Sequence, residues 1–540
     1  MLSTKRVVSI FCLFLLLMGG LFVRLYFLST GEELASAAQK QSSYTLTVDQ
    51  TRGYIYDCSM QPLVYLQPQY KAAVLPSNDA LSTIAPLLEG SERNNFLTLN
   101  AQNKPFLQNL SAENVYGKGV RLFKTDLRYG DDPLAEHLIG YLDATKENGV
   151  SGIEKSFNEL LKEGAGKLQI SYSIDATGSI LTQKQPEVTQ ENYQDKKGVV
   201  LTLDRQIQQI AQNAAKKYIK EGAVVVMDVS NGDIKAAVSC PSFNPNNVAD
   251  SLQDANGPLV NRALSAYNVG SPFKLLIAAA ALESGIPASQ TFECTGSVKI
   301  GDIEFHCHKR EGHGVLDMKG AIQISCNPYF MQLIAKLGAY PVVELADKLG
   351  FGRETELADS LVSAAGYLPD MEDLQNPGDV ANFGFGQGKL LATPVQLAQL
   401  VSLFANGGYA VTPRLVAGTT DDTGKTIASA TDQIAPQQII STKTADMIKE
   451  FMINVVENGS GKEAKPKVGS AGGKTGSAQT GVYNEDDVEI VHAWFTGFYP
   501  AQNPKYAIVV LAENGQSGGD ISGPVFKEIA DQIALLEQIS

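Results

Sequence analysis

Asn268-Val269-Gly270-Ser271-Pro272-Phe273-Lys274 runs directly into the apolar stretch 275–282, and the fold turns on how this junction is read. Proline suits the first position of a helix, where its missing N–H costs nothing. A serine before it is a good N-cap, and Gly285 and Pro287 supply stop signals. The pattern predicts a helix over 272–284 with Ser271 at its positive end. Lys274 lies three positions after Ser271, about one turn, so both side chains can share a face. A serine hydroxyl is a weak nucleophile until a base takes its proton. A lysine amine can be that base only if burial or nearby positive charge lowers its pKa. An apolar helix supplies the burial and its N-terminal dipole the potential. Taken alone, S-x-x-K is a common pattern, better explained by a capped core helix whose lysine snorkels to solvent.

Two further stretches change that reading. Ser325-Cys326-Asn327 precedes Pro328, so Asn327 is expected to cap a helix running to about residue 336. A hydroxyl and a carboxamide two residues apart can both enter a cleft from such a junction. Ser325 is suited to relay a proton between a leaving amine and Lys274, and Asn327 to hold a substrate amide. Lys474-Thr475-Gly476-Ser477 lies in a glycine-rich strand. Lys474 and Thr475 offer a cation and a hydroxyl to a carboxylate, and Gly476 is read as leaving room for a peptide along the strand edge. The backbone N–H groups of Ser271 and Ser477 are candidates for an oxyanion hole. Each stretch also has a plain structural reading, as a capped junction or a hairpin strand with a surface lysine.

In this order the three form the S-x-x-K, S-x-N, K-T-G set. Here the chain resembles the class B penicillin-binding proteins, the monofunctional peptidoglycan D,D-transpeptidases. Arg52-Gly53 with Asp57, Gly140, Gly152-Ile153-Glu154, Asn261-Arg262-Ala263, Gly386-Gln387-Gly388 and His492-Ala493-Trp494-Phe495 extend the likeness over nearly the whole length. It implies an α/β (α+β) serine transpeptidase/β-lactamase-like domain, a central antiparallel sheet flanked by helices. An extended N-terminal pedestal and one transmembrane helix would precede it. It implies that Ser271 attacks the penultimate D-alanine carbonyl of a D-Ala-D-Ala stem peptide, that a neighbouring amine then takes the acyl group, and that β-lactams acylate Ser271 instead. Ser271, Lys274, Ser325 and Asn327 would be catalytic. Lys474, Thr475, Gly476 and Ser477 would bind substrate, with no cofactor and no metal. Val269 stands where the family often has proline, and Cys58 where a basic residue usually follows Asp57. No glycosyltransferase-like acidic motif precedes the pedestal, which argues against a bifunctional class A enzyme, and no extra module is expected after the closing helix.

Length and charge agree. A chain of 540 residues calls for two or three domains. A net charge of −14 argues against nucleic acid as a partner and leaves an anionic peptide tail to local cations such as Lys474. Residues 7–28 are apolar apart from Arg24, enough for a membrane span. Lys5 and Arg6 before them orient a short cytoplasmic tail, 1–6. Ala35-Ser36-Ala37 lies too far beyond the apolar run for a signal-peptide cleavage site, which favours an uncleaved anchor. Residues 29–43 read as a stalk. The expected domains are this tail, the anchor 7–28, a pedestal or dimerisation-like domain 29–198, and the transpeptidase domain 199–540. The catalytic domain is then extracytoplasmic on a single-pass membrane protein, with cell-wall synthesis proteins as possible partners.

Six cysteines do not make a disulfide scaffold. Cys294, His306, Cys307, His308 and His313 match no C-x-x-C zinc pattern. A Cys294–Cys307 disulfide is favoured there over a metal site, with reduced thiols as the other reading. Cys326, between two proposed catalytic residues, is expected to impair activity when oxidised. Gly384 to Lys389 lacks Walker spacing and reads as a structural loop, and Trp494 as packing. Two other functions stay open: a β-lactam sensor, and a D,D-carboxypeptidase or β-lactamase in which water replaces the acceptor amine.

Overall fold

The computed structural model describes residues 4–30, 42–429, 434–483, 487–515 and 517–539. The cleavage-like Ala35-Ser36-Ala37 and most of the stalk lie outside the described residues, as do residues 1–3 of the tail. The chain forms two compact units. One is Met1–Arg52, Gln67–Leu127 and Ala165–Asp195; the other is Gly53–Leu66, Arg128–Gly164 and Lys196–Ser540.

The first unit begins with a helix, Thr4–Thr30, whose 24-residue stretch Thr4–Phe27 is long and apolar enough to cross a membrane. Beyond it lie two three-stranded antiparallel sheets. Ser43–Gln50, Lys167–Ser173 and Glu187–Glu191 make one; Phe106–Leu110, Gln67–Val74 and Val120–Leu127 make the other. Lys71 Nζ donates to Asp49 at 2.9 Å and ties a strand of one sheet to a strand of the other, while the Tyr193 hydroxyl donates to the same carboxylate at 2.7 Å from just beyond Glu191.

The second unit gathers segments from well upstream of residue 199, where the sequence reading began the catalytic domain. Tyr54–Tyr56 pairs in parallel with Gly198–Leu201, which in turn pairs with Val416–Thr420. Asp57 accepts from Ser59 and Gln61 N–H at 2.8 and 2.7 Å and from Arg205 N–H at 3.1 Å, at the start of helix α1 (Arg205–Tyr218). Glu154 of the Gly-Ile-Glu segment is fully buried and accepts from Arg128 Nε at 2.5 Å and Tyr129 Oη at 2.7 Å. A buried carboxylate is tolerated only with such partners, so this segment is structural.

The centre of the second unit is a five-stranded antiparallel sheet. Its strands are β1 (Gly222–Asp228), β2 (Ile234–Cys240), β3 (Gly472–Tyr483), β4 (Glu489–Tyr499) and β5 (Tyr506–Ala512), in the order β2-β1-β5-β4-β3. The Asn231-Gly232 turn joins the first two, as its sequence predicts, and strands from both ends of the segment meet at β1·β5. Successive residues point to opposite faces. Val224, Val226 and Val510 pack with α1 and with α6 (Gly523–Ile539). Val225, Met227 and Val509 pack with α2 (Lys274–Glu283) and α4 (Pro394–Ala405). Both faces are covered, which is why β1 and β5 read as nearly continuous apolar runs. Helix α2 is buried all round, with residues 275–281 no more than 2 % exposed. That is the position of a core helix rather than an amphipathic surface helix.

Candidate active site

The junction at Ser271 departs from the expected cap. Ser271–Phe273 is a turn of 3-10 helix, α2 proper starts at Lys274, and Gly270 (φ +68°) occupies the cap with no side-chain bond. The left-handed Gly270 turns the chain before Ser271, so the serine hydroxyl is not spent on the helix end. It accepts instead from Ser325 Oγ at 3.0 Å.

Asn327 is likewise not a cap. Helix Met318–Gln323, capped by Asp317 onto Gly320 N–H at 2.8 Å, ends just before the turn. Ser325 is left-handed (φ +59°), and Cys326 is the extended N-cap of α3 (Asn327–Leu337). A non-glycine residue held there is strained. Cys326 N–H donates back to Ala321 O at 3.0 Å, which closes the turn. The result releases both the Ser325 hydroxyl and the Asn327 carboxamide toward Lys274.

Lys274 and Lys474 are both wholly buried. Lys274 Nζ donates to Asn327 Oδ1 at 2.5 Å, Ser325 O at 2.9 Å and Ser325 Oγ at 3.3 Å. Lys474 Nζ donates to Ser325 Oγ and to Thr475 O, both at 2.9 Å. Among the described residues no hydrogen bond joins Lys274 Nζ to Ser271 Oγ; the link passes through Ser325. A hydroxyl has one proton and two lone pairs, and Ser325 uses all three. Burial pushes Lys274 down to about 7, against a smaller upward pull from the Cys326 and Cys307 thiols. Burial, then the neighbouring Lys274 charge, holds Lys474 well below the usual lysine range.

Strand β3 is the sheet edge and carries the K-T-G stretch beside this cluster. Thr475 Oγ1 lies 2.8 Å from Ser460 Oγ, and Ser477 is exposed. Gly476 does not open space for a peptide as the sequence reading expected. A Cβ there would sit 2.6 Å from Pro272 Cδ, so the missing side chain lets the Ser271 turn press against the strand.

Sequence reasoning missed several supports. A Cβ on Gly386 would lie 1.9 Å from Gly270 O, and Gly270 N–H donates to Gly386 O at 2.8 Å, so the loop read as merely structural buttresses the Ser271 turn. Trp494 Nε1 donates to Asn268 O at 2.9 Å. Glu513 accepts from Arg262 Nε and from the Tyr267 hydroxyl, both at 2.8 Å, and anchors the approach to Asn268. No local pattern marks Glu513; only the fold brings it to Arg262.

Residues 222–531 match the penicillin binding protein transpeptidase domain. The chain belongs to that family. Stage V sporulation protein D of Bacillus subtilis is 29 % identical over 537 residues, covering 92 % of this chain and 80 % of that protein. Peptidoglycan D,D-transpeptidase MrdA of Acinetobacter baumannii is 29 % identical over 573 residues, covering 92 % and 82 %. A solved structure of the Helicobacter pylori penicillin-binding protein PBP2 in complex with MreC superposes with a TM-score of 0.63 at 22 % identity, over 92 % of this chain and 99 % of that one. Both the penicillin-binding fold class and the class B resemblance are therefore established.

Behind the S-x-N turn of this penicillin-binding transpeptidase, the structure corrects the expectation for the cysteines. Cys294 and Cys307 are free thiols. They converge with His313 and Cys326, all four potential donor atoms lying within 4.8 Å of one another. The two thiols and His313 come from one loop-rich excursion, while Cys326 arrives from the turn. Their spacing along the chain carried no metal pattern because the fold, not a local loop, assembles them.

Proposed function

We propose that Ser271 is the acyl carrier of this membrane-anchored peptidoglycan D,D-transpeptidase, the enzyme that β-lactams acylate. The observation that carries the assignment is the hydroxyl of Ser325, bonded at once to Ser271, Lys274 and Lys474. Ser271 Oγ attacks the penultimate D-alanine carbonyl of a stem peptide. With Lys274 neutral, the Ser325 hydroxyl turns its proton from Ser271 to the lysine lone pair and accepts from the Ser271 hydroxyl; the Ser271 proton then passes to Ser325 as the Ser325 proton passes to that lone pair. The peptide C–N bond then breaks, and the same chain run backwards protonates the departing D-alanine amine. An amine of a second stem peptide attacks the ester, returns the proton to Ser271 and completes the crosslink.

Asn327 serves as the positioning group for Lys274 and for a substrate amide. The buried Lys474 reaches from the strand to Ser325 Oγ, so the anionic tail of the donor peptide meets the Thr475 and exposed Ser477 hydroxyls first, with Lys474 beside them. Ser271 and Ser477 N–H groups remain the candidate oxyanion hole. The helix Thr4–Thr30 anchors the chain in the cell membrane with the catalytic unit outside. Proteins of a cell-wall synthesis complex are the expected partners, by analogy with the MreC-bound relative.

Incubation with a labelled penicillin tests the assignment. A stable adduct mapped to Ser271, together with crosslinking of paired stem peptides, is the expected result. Rapid release of hydrolysed drug would make the chain a β-lactamase, an adduct without crosslinking would make it a sensor, and the absence of any adduct would overturn Ser271 as nucleophile.

A further inference from the structure

Outside the cleft, the second unit carries a pocket of about 500 Å3, inside the range of roughly 300–1,000 Å3 usual for small-molecule sites. Three stretches converge on it. Residues from 137–155 form one side, Phe243 and residues from 259–265 a second, and the hairpin of Thr355–Ala358 with Leu361–Ser363 the third. The middle stretch runs on through Tyr267–Asn268, which pairs with Leu391–Ala392, to Ser271. The pocket's wall is thus continuous with the approach to Ser271, yet it includes none of the residues given a part in the chemistry. Its geometry is fixed. The Phe243 ring meets His137 edge-on at 5.0 Å and Tyr141 at 5.9 Å, with interplanar angles of 86° and 83°. Pro258 O accepts from His137 Nε2 at 2.7 Å and Glu136 Oε1 lies 3.4 Å from Nδ1, so both ring nitrogens are held. Asn261 Nδ2 donates to His137 O at 3.2 Å, while its Oδ1 is enclosed and finds no donor among the described residues. Such an acceptor gains from any occupant that brings a donor. Ser265 Oγ donates to Asn261 O at 2.9 Å and keeps its lone pairs for a ligand.

Charge narrows the ligand. The chain has 58 acidic against 44 basic residues. Even so, no carboxylate lines this pocket, and among the described residues none pairs with Lys155, which stands exposed at its edge. A lone cation repels cationic ligands and offers too little to a polyanion such as a nucleotide. A wholly apolar occupant would leave the Asn261 carboxamide and the Ser151 and Ser265 hydroxyls without partners. What fits has an apolar face for Tyr141 and Phe243, hydroxyl and amide groups along its edge, and one carboxylate within reach of Lys155. A pyranose ring has C–H faces and a hydroxylated edge, and an acetamido group adds the N–H donor that Asn261 Oδ1 lacks. The polymer that this family crosslinks is a chain of acetamido sugars carrying peptides with free carboxylates.

We infer that this pocket binds one acetamido sugar of the glycan strand, together with a carboxylate of the peptide attached to it, as a docking site apart from the acyl-transfer cleft. Tyr141 and Phe243 meet the sugar face, Asn261 and Ser265 its polar edge, and Lys155 the carboxylate. A strand held there presents its other stem peptides to Ser271 at a raised local concentration, because the second encounter is within one complex. The choice of occupant rests on the crosslinking reading above; the pocket and its charge do not.

The test titrates the full-length chain in detergent, by calorimetry, with N-acetylmuramyl-L-alanyl-D-isoglutamine and with two pieces of it, L-alanyl-D-isoglutamine and N-acetylglucosamine. The sugar-peptide should bind, and each piece should bind about tenfold more weakly or worse. Lys155→Ala alters an exposed, unpaired side chain, so a loss there is not a loss of fold. It should weaken the sugar-peptide about fivefold and remove the salt dependence seen in the parent, and Lys155→Arg should restore both. Tyr141→Ala should weaken it about tenfold. In crosslinking assays Lys155→Ala and Tyr141→Ala should raise KM for uncrosslinked glycan strands, with kcat, penicillin acylation of Ser271 and the KM for free stem peptides at the parent values. A parent chain that does not bind the sugar-peptide, or an unchanged KM for glycan strands in Lys155→Ala, would overturn the inference. So would equal binding of the bare dipeptide, which would make this a site for acidic peptides. A chain that binds the sugar-peptide through Lys155 yet is never acylated by penicillin would instead sink the acyl-transfer reading and leave the docking site standing.

Discussion

The two walls of the cleft are built differently. Ser271, Lys274 and Lys474 stand on the wall made by helix α2 and strand β3; the helix is buried among aliphatic side chains, and the strand's glycines lie against Phe498, Phe495 and Pro272. Ser325 and Asn327 stand on the other, a strained three-residue turn between two short helices, with a cluster of thiols behind it. The first wall is set by burial, which is non-directional and distributed over many residues. The second is set by a few directional contacts around one left-handed residue. Activity needs both, because the only hydrogen-bonded route found among the described residues from Ser271 to Lys274 crosses from one wall to the other and back. Damage to the first wall should therefore remove chemistry or folding, whereas damage to the second should leave a folded, slow enzyme.

The largest effect is expected at Ser271, the proposed nucleophile. Ser271→Ala should abolish the penicillin adduct while leaving the thermal transition near that of the parent, since the side chain is only partly buried and caps no helix. Any adduct on the variant would place the nucleophile elsewhere. Lys274→Ala should slow acylation about 1,000-fold, in the range for loss of a general base. The pH profile sharpens this. Only the neutral amine can take a proton, and burial holds Lys274 down to about 7 in a surround of Lys474, Ser325, Asn327 and the Cys326 and Cys307 thiols. Log rate should therefore fall by about one per pH unit below 7 and level off above it. A flat profile from pH 5.5 to 8 would remove Lys274 from the base role. On the second wall, Ser325→Ala should cost about 100-fold in acylation with an unchanged fold. A loss of less than threefold would show that Lys274 reaches Ser271 without the relay.

What the sequence made legible follows the same division. The core sheet, α1, α2 and the Asn231-Gly232 turn could be read because each follows from local periodicity and local stop signals. The three motifs could be read because their order along the chain is itself the signal. The detailed roles of Ser271 and Asn327 at their helix ends could not. Both positions looked like caps, and in both the preceding residue, Gly270 or Cys326, takes the cap position and frees the side chain. Gly476 was read as space for a ligand, yet the space is filled by Pro272, because a glycine reports a close approach without saying of what. The thiol cluster was missed for a related reason. Cys326 comes to Cys294, Cys307 and His313 through tertiary packing, and no window of sequence contains all four as a motif. Gly476→Ala tests the glycine reading directly. Forcing a Cβ against Pro272 should destabilise the fold by about 2 kcal/mol, seen as a lower thermal midpoint; an unchanged midpoint would mean the strand and the Ser271 turn separate freely.

The smallest predicted effect probes the joint between the walls. Ser460 follows α5 (Thr442–Asn458); its hydroxyl lies 2.8 Å from Thr475 Oγ1 on the K-T-G strand, and its N–H donates to Gln323 O at 3.1 Å, just before the S-x-N turn. Gln323 is held further by Nε2 donating to Asn458 O at 3.1 Å and by Asn454 Nδ2 donating to its Oε1 at 2.9 Å. Ser460→Ala removes the tie to the strand and keeps the backbone tie to the turn. A neutral hydrogen bond contributes about 1 kcal/mol, so Thr475 should lose its fixed orientation at a cost of about fivefold in acylation efficiency. The loss should appear in the apparent affinity for penicillin rather than in the limiting rate, because the proposed role of Thr475 is to meet the bound carboxylate and not the reacting carbonyl. A fall confined to the limiting rate would instead mean that Ser460 tunes the Ser325 turn through Gln323, and would move the hinge of the site from the strand to that turn.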